Sequence, residues 1–269
     1  MLSAAIANLF VVGASMATLP SPVPAPEPRA SLSPIARIFG VFFSPKATFE
    51  DIVRKPDWVA PLIVLFLTGM LLNVALATHA NWIEVIKEQI GKNKMAASQI
   101  ENMDPAKRDA VYERAASQTK TIRYVRGVIG WPLALLFGAL LYFGVYRLIG
   151  GGRVSFLLSF VILAFASLPM GLREILGSIV ALLKDPSAID PENYLASNPA
   201  ALLPPDTPAW QIVPLAFLDV FAIWVLVLVA VGFTAADPKK LPFGKSLGLA
   251  IGLHVALMFF FTAIAWVFS

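Results

Sequence analysis

The sequence predicts an all-α fold, an integral membrane bundle of five transmembrane helices preceded by amphipathic interfacial helices. Hydrophobic residues make up 58% of the 269 residues and charged residues only 14%, far less charge than a soluble domain carries. The chain also contains five apolar runs, each long enough to cross a hydrocarbon core of about 30 Å. We place the five spans at about 58–78, 127–147, 154–183, 210–233 and 246–268.

Residues 1–30 form a flexible apolar and proline-rich segment ahead of the membrane domain. Residues 2–19 are apolar but interrupted by polar residues, and they lack the positive start of a signal peptide. A signal, a further span and a disordered segment therefore stay open for this stretch. Residues 20–28 (PSPVPAPEP) predict an extended linker, because so many prolines prevent a helix. The membrane domain is expected to occupy residues 31–269.

A membrane-surface segment is predicted just before the first span. Apolar side chains recur at helical spacing from Ile35 to Phe43, and Ser44-Pro45 predicts the cap and first turn of a second helix. Basic side chains on this segment suit an anionic membrane surface. The residues assigned to this surface are Phe39, Phe42, Phe43, Lys46, Phe49, Arg54 and Lys55.

The connections between the spans differ in character. Residues 79–126 are polar with helical spacing, and Asp104-Pro105 predicts the start of a helix that runs into the second span. Three glycines at 150–152 predict a hairpin turn, because no Lys-Ser or Lys-Thr pair follows as a phosphate loop requires. Residues 184–208 form a proline-rich loop that is too broken for a helix.

The charge distribution favours a cytoplasmic N-terminus. The proline-rich loop, which then lies outside, has Lys184 as its single basic residue. The polar stretch 79–126 opposes this orientation, but its bases are accompanied by six acids and we give the tight turns more weight. The basic residues of the inner turns are Arg147, Arg153, Lys239, Lys240 and Lys245.

Three charged residues within the spans are the first candidates for a polar site. Arg173 lies about 15 Å from the outer end of the third span, and Asp219 lies about 12 Å from the outer end of the fourth. Because a charge at bilayer depth is costly unless it is paired, we predict that the two approach each other and that Glu174 faces a third element. The pair can be structural, or part of a substrate or proton path. A wet boundary at a re-entrant break near Pro169 and Gly171 is the third interpretation.

Two neutral polar residues complete the candidate intramembrane site. Asn73 in the first span predicts a hydrogen bond between helices, and His254 in the fifth span predicts a satisfied polar contact rather than a proton relay. Tryptophans near the span ends are typical of interfacial aromatic belts. They are Trp58, Trp82, Trp131 and Trp210.

Composition argues against several functional classes. The chain has no cysteine and only two histidines, so thiolate zinc sites and histidine-rich metal centres are excluded. The zinc protease motif HExxH is absent, and the spans offer one aspartate rather than the pair that aspartyl chemistry needs. We therefore expect that the protein is not an enzyme and that it binds no cofactor, no metal and no nucleic acid.

Residues 33–61 read SPIARIFGVFFSPKATFEDIVRKPDWVAP and lead into the first of five hydrophobic spans. This order resembles the bacterial branch of the Yip family. This family is named after eukaryotic membrane proteins that interact with Rab-type GTPases. The resemblance covers residues 32–269 and implies a five-span domain of the bacterial inner membrane with a cytoplasmic N-terminus. The eukaryotic roles in vesicle traffic and membrane shaping do not transfer directly, because a bacterial cell lacks the Rab machinery. The positions that carry the resemblance best are Ser44-Pro45, Phe49, Pro56, Trp58 and Pro61.

Two non-enzymatic functions are consistent with the sequence. A membrane-organising or partner-recruiting scaffold would contact the lipid bilayer and other membrane or cytoplasmic proteins, and its bundle would be dry. A transporter or channel component would need a continuous polar cavity lined by Arg173, Glu174 and Asp219. The absence of an evident internal repeat argues mildly against a transporter. A homo-oligomer is compatible with either function, and the sequence identifies no partner, substrate or oligomeric state.

Overall fold

The computed structural model describes residues 31–92, 94–204 and 207–267, and every regular element in these ranges is a helix. Residues from Leu32 onward form one compact unit. The predictions for residues 1–30 lie outside the described residues. The helices are α1 Pro34–Phe43, α2 Pro45–Arg54, α3 Val59–His79, α4 Trp82–Lys92, α5 Lys94–Glu101, α6 Pro105–Gly144, α7 Phe156–Ala166, α8 Leu168–Leu183, α9 Ala209–Ala216, α10 Val220–Ala236 and α11 Phe243–Val267.

The first two helices form a hairpin that turns at Ser44. The Ser33 side chain caps α1 by accepting the N–H of Ala36, and Pro45 occupies the first turn of α2. Ser44 lies at the N-cap of α2 as predicted, although its side chain makes no capping hydrogen bond. Gly40 allows the two helices to approach closely, because a Cβ at this position would collide with Thr48.

The part of the chain that the structure describes contains four apolar segments of spanning length. They are α3, α6 with the π-helical turn Val145–Ile149 that continues it, α7 with α8, and α11. The helix that begins after Asp104 runs without interruption through Pro132 into the second span, which confirms that prediction. Asp104 starts this helix by accepting the N–H of Ala106.

The fourth predicted span is not one continuous helix, which corrects the expectation for residues 210–233. It consists of α9 and α10, bent by 46° at a break of three residues. The break forms because the side chain of Asp219 accepts the first free N–H groups of α10 and so starts a new helix at Val220. With the bent pair counted as one span, the residues that the structure describes contain five spans. The third span is interrupted only at Ser167, and Pro169 and Gly171 lie within α8.

The main core lies at the end of the bundle that contains the hairpin. Phe49 and Ile52 of α2 are fully buried there between α7 and α10. Tyr146 and Phe233 stack beside them with ring centroids 3.7 Å apart. A second cluster at the opposite end joins α3, α4 and α6, with Trp82 as its largest side chain.

Candidate functional site

Asp219 and Arg173 form an ion pair at the break in the fourth span. Nε of Arg173 lies 2.9 Å from Oδ2 of Asp219, and 12% and 7% of the two side chains are exposed. This geometry agrees with the contact that the matched depths predict. Oδ1 of the same carboxylate accepts the N–H of Phe221 at 2.9 Å. The pair therefore joins α8 to the first turn of α10.

The proline-rich loop between α8 and α9 supplies two further members of this cluster. The hydroxyl of Ser197 donates to Asp219, and its backbone carbonyl accepts the N–H of Val220 at 3.1 Å. The guanidinium of Arg173 donates to the Tyr194 hydroxyl and lies 4.6 Å from the centroid of that ring. Neither loop residue could be identified from the sequence, because a loop has no periodicity that would indicate a buried side chain.

Glu174 lies on a different side of α8 from Arg173 and contacts α3 and α6, so it faces a third element as predicted. Its carboxylate accepts the indole N–H of Trp131 at 2.9 Å and the hydroxyl of Thr68 at 2.8 Å. Trp131, which was expected in an interfacial belt, donates its indole N–H to this carboxylate within the bundle. Glu174 thus connects three spans.

The two neutral polar candidates have different surroundings. Asn73 donates to the carbonyl of Gly69 in its own helix at 2.8 Å, rather than to another helix as expected. His254 meets its prediction of a satisfied polar contact, since Nε2 lies 2.9 Å from the carbonyl of Phe217. That carbonyl belongs to the break in the fourth span, where the helical hydrogen-bond pattern is interrupted.

A second buried ion pair, which the sequence reasoning missed, holds the N-terminal hairpin together. Nη2 of Arg37 lies 2.9 Å from Oδ2 of Asp51, and about 5% of each side chain is exposed. Arg37 also donates to the carbonyl of Lys55 at 2.9 Å. Burial opposes the ionisation of Asp51, but the hydrogen bonds and charge of Arg37 and the N–H of Leu32 outweigh it and keep its pKa below 3.8.

The residues assigned to the membrane surface divide into exposed and buried groups. Phe39 and Phe43 are 60% and 83% exposed, and with Ile35 they form one stripe along α1. Phe42 packs against Trp224 in a T-shaped contact, and Phe49 is fully buried, so neither belongs to the exposed stripe. The exposed basic residues of the hairpin are Lys46, Arg54 and Lys55.

The described residues contain no group of three or more histidines and acids that could hold a metal ion. A cavity of about 290 Å³ lies between α4 and α6, and another of about 520 Å³ lies at the turn of residues 147–155. Neither cavity is lined by Arg173, Glu174 or Asp219.

Comparison with known proteins gives two matches. The family model described as the Yip1 domain matches residues 39–265. The membrane protein YknW of Bacillus subtilis (strain 168) is 25% identical over 205 residues, which are 76% of this chain and 80% of YknW. No solved structure matches the chain significantly.

Proposed function

The chain belongs to the Yip1 domain family, and from this premise we propose that it is a membrane scaffold without enzymatic activity that recruits partners through its N-terminal hairpin. The family consists of membrane proteins that are not known enzymes, and the Bacillus relative is named as a membrane protein. The hairpin, α1 and α2, combines an exposed apolar stripe with exposed basic side chains and is attached to the bundle.

The exposed stripe of α1 carries this proposal. Ile35, Phe39 and Phe43 are spaced by one helical turn, and each is at least 60% exposed. Contiguous apolar side chains on a surface mark a contact with lipid or protein. Exposed basic side chains at the end of α2, Arg54 and Lys55, lie close to α1 and favour the interface of an anionic membrane.

The attachment of the hairpin gives the stripe a fixed direction. Phe49 and Ile52 anchor α2 in the core, while the buried pair of Arg37 and Asp51 ties α1 to α2. With the stripe in the lipid interface, the exposed polar positions of α2, including Lys46 and Glu50, face water beside the membrane. This polar surface is where we place the partner.

The cytoplasmic location of the hairpin is supported by the charges at its end of the bundle. Phe49 of α2 packs near Gly232, close to the turn between α10 and α11. That turn contacts the turn between α6 and α7, since the carboxylate of Asp237 accepts the backbone N–H of Arg153 at 2.9 Å. Both tight turns are basic, and short basic turns favour the cytoplasmic side. We therefore place the hairpin and these turns in the cytoplasm of a bacterial cell, at the inner membrane.

A transporter or channel component is less well supported. Arg173, Glu174 and Asp219 all have hydrogen-bonding partners within the protein, and the two cavities described above are not lined by them. A broken helix often marks a substrate site in transporters. Here, however, Asp219 itself accepts the N–H groups at the start of α10. A structural role for the pair agrees better with these contacts.

The position of the stripe can be measured with a fluorescent probe, because the chain has no cysteine of its own. A single Phe39→Cys variant labelled with an environment-sensitive dye should be quenched by nitroxide lipids in nanodiscs. The matched control is Lys46→Cys on the polar side, which should be quenched much less. Equal quenching at the two positions would contradict the placement of α1 in the interface.

Partner binding requires a separate test, because removing residues 1–57 would also remove Phe49 and Ile52 from the core. The double variant Lys46→Glu with Glu50→Lys keeps the net charge and alters only exposed positions. We expect it to lose specific crosslinked products in native membranes. The control Lys107→Glu with Asp109→Lys at the start of α6 should retain them, and retention by the hairpin variant would refute the recruiting role.

A further inference from the structure

The turn between α6 and α7 has the features of an anion site. The cavity of about 520 Å³ at this turn is lined by Arg147, Gly152, Arg153, Val154 and Ser155. Nη1 of Arg147 donates to the carbonyl of Val154 at 3.0 Å, which holds this guanidinium at the cavity. In the part of the chain that the structure describes, Arg147 makes no other hydrogen bond, and an arginine has five N–H donors.

Arg153 supplies a second guanidinium to the same cavity. Its backbone N–H donates to Oδ2 of Asp237 at 2.9 Å, so the turn is fixed against the neighbouring one. Within the described ranges, no hydrogen bond occupies the guanidinium of Arg153 itself. Asp237 is engaged by backbone donors, since its other oxygen accepts the N–H of Lys240 at 3.2 Å. Two arginines with unused donors are the usual partners of a phosphate group.

Exposed aliphatic side chains lie directly beside these arginines. Leu148 is 82% exposed and Ile149 is 72% exposed, in the π-helical turn that ends the second span. Aliphatic side chains contribute nothing to the binding of a free phosphate. A phospholipid, in contrast, has its phosphate and its acyl chains next to each other and can contact both kinds of side chain. The lysines of the adjacent turn, Lys239 and Lys240, add positive charge that favours an anionic lipid.

We propose that this cavity binds the phosphate of an anionic phospholipid, with Arg147 and Arg153 as donors and with Leu148 and Ile149 against the acyl chains. The site is separate from the polar cluster of Arg173 and Asp219. It is also independent of the partner-recruiting role of the α1–α2 hairpin, because none of its residues belongs to that hairpin. Its function would be to hold a particular lipid at the end of the second span.

Native mass spectrometry of the full-length protein in detergent, titrated with phosphatidylglycerol or phosphatidylcholine, tests this site. Replacing Arg147 and Arg153 by Gln should weaken phosphatidylglycerol binding by about fivefold for each arginine. The matched control, Lys107→Gln with Arg114→Gln, removes the same charge from exposed positions of α6 and should bind as the wild type does. Size-exclusion profiles verify that the variants are folded.

Two further measurements distinguish a lipid from a soluble anion. The variant Leu148→Ser with Ile149→Ser should also weaken phosphatidylglycerol binding, and millimolar inorganic phosphate should not displace the lipid. Unchanged binding by the arginine variant, or equal binding of phosphatidylcholine by the wild type, would overturn the proposal. Displacement by inorganic phosphate would overturn it as well, because the site would then belong to a soluble anion.

Discussion

One carboxylate, that of Asp219, pairs with Arg173 through Oδ2 and caps α10 through Oδ1. The carboxylate that pairs with Arg173 of the third span is therefore also the group that divides the fourth span into α9 and α10. The ion pair and the helix cap both depend on this one side chain. Different substitutions at Asp219 therefore distinguish the two contributions to stability.

Asp219→Asn should destabilise the protein, and Asp219→Ala should destabilise it more. The amide keeps an acceptor for the first turn of α10 but leaves Arg173 without a counter-charge, which costs about 3–5 kcal/mol when a pair is buried. The alanine also loses the cap, worth about 1 kcal/mol. The order of stability can be measured by heating each variant and determining the folded fraction by size-exclusion chromatography. The temperature at which half of the protein is lost is the midpoint temperature. Glu113→Gln, at an exposed position, serves as the control and should match the wild type.

Exchanging the two charges tests whether the pair acts as a pair. The single variants Asp219→Arg and Arg173→Asp should each lower the midpoint temperature strongly, because each places like charges together. The double variant should recover part of the loss, although not the contribution of the cap, since arginine has no acceptor. A double variant whose loss of stability equals the sum of the two single losses would show that the contact contributes no coupling energy.

The ion pair of the hairpin predicts a pH-dependent contribution to stability. The pKa of Asp51 in the folded protein lies below its unfolded value of about 3.8, so its stabilisation is present above that pH and is lost as the pH falls through the folded pKa. Asp51→Asn should therefore lower the midpoint temperature near pH 7, and this difference from the wild type should shrink in acid. Glu50→Gln, one residue away and exposed, should follow the wild-type profile.

Gly232 should tolerate no larger residue, because α10 is packed tightly against its neighbours there. A Cβ on Gly232 would lie 2.5 Å from Cγ2 of Ile162 and 3.0 Å from Cδ1 of Phe49. We expect Gly232→Ala to cost about 1–3 kcal/mol by overpacking. Gly248→Ala on α11 is the matched control, since nothing lies within 4 Å of its Cβ position. Equal midpoint temperatures for the two variants would refute the packing of α2 on α10.

The bent pair α9 and α10 should cross the membrane as one span. Single cysteines at Ser187, in the loop before α9, and at Lys239, in the turn after α10, should then react with an impermeant maleimide from opposite sides of the membrane. Phe260→Cys on the apolar helix α11 should react from neither side. Labelling of the first two positions from the same side would make the pair a re-entrant loop and would leave four spans.

The apolar runs, the start of α6 at Asp104 and the hairpin at Ser44-Pro45 could all be predicted, because each depends on residues that are close in sequence. The contact of Arg173 with Asp219 could also be predicted, since a buried charge demands a partner and only a few charges lie at that depth. The contacts of Tyr194, Ser197 and Trp131 could not be predicted. They join residues 21–43 positions apart, and nothing local in the sequence indicates such pairings.

The amino-acid sequence by itself determined that this protein is a helical membrane protein, because hydrophobicity and helix-starting residues act locally. Only the tertiary structure decided which amphipathic faces remain exposed. Phe39 and Phe49 have the same character in the sequence, yet one lies on the surface and the other is fully buried. The difference arises because α2 packs between α7 and α10, and that packing depends on the shapes of all three helices together.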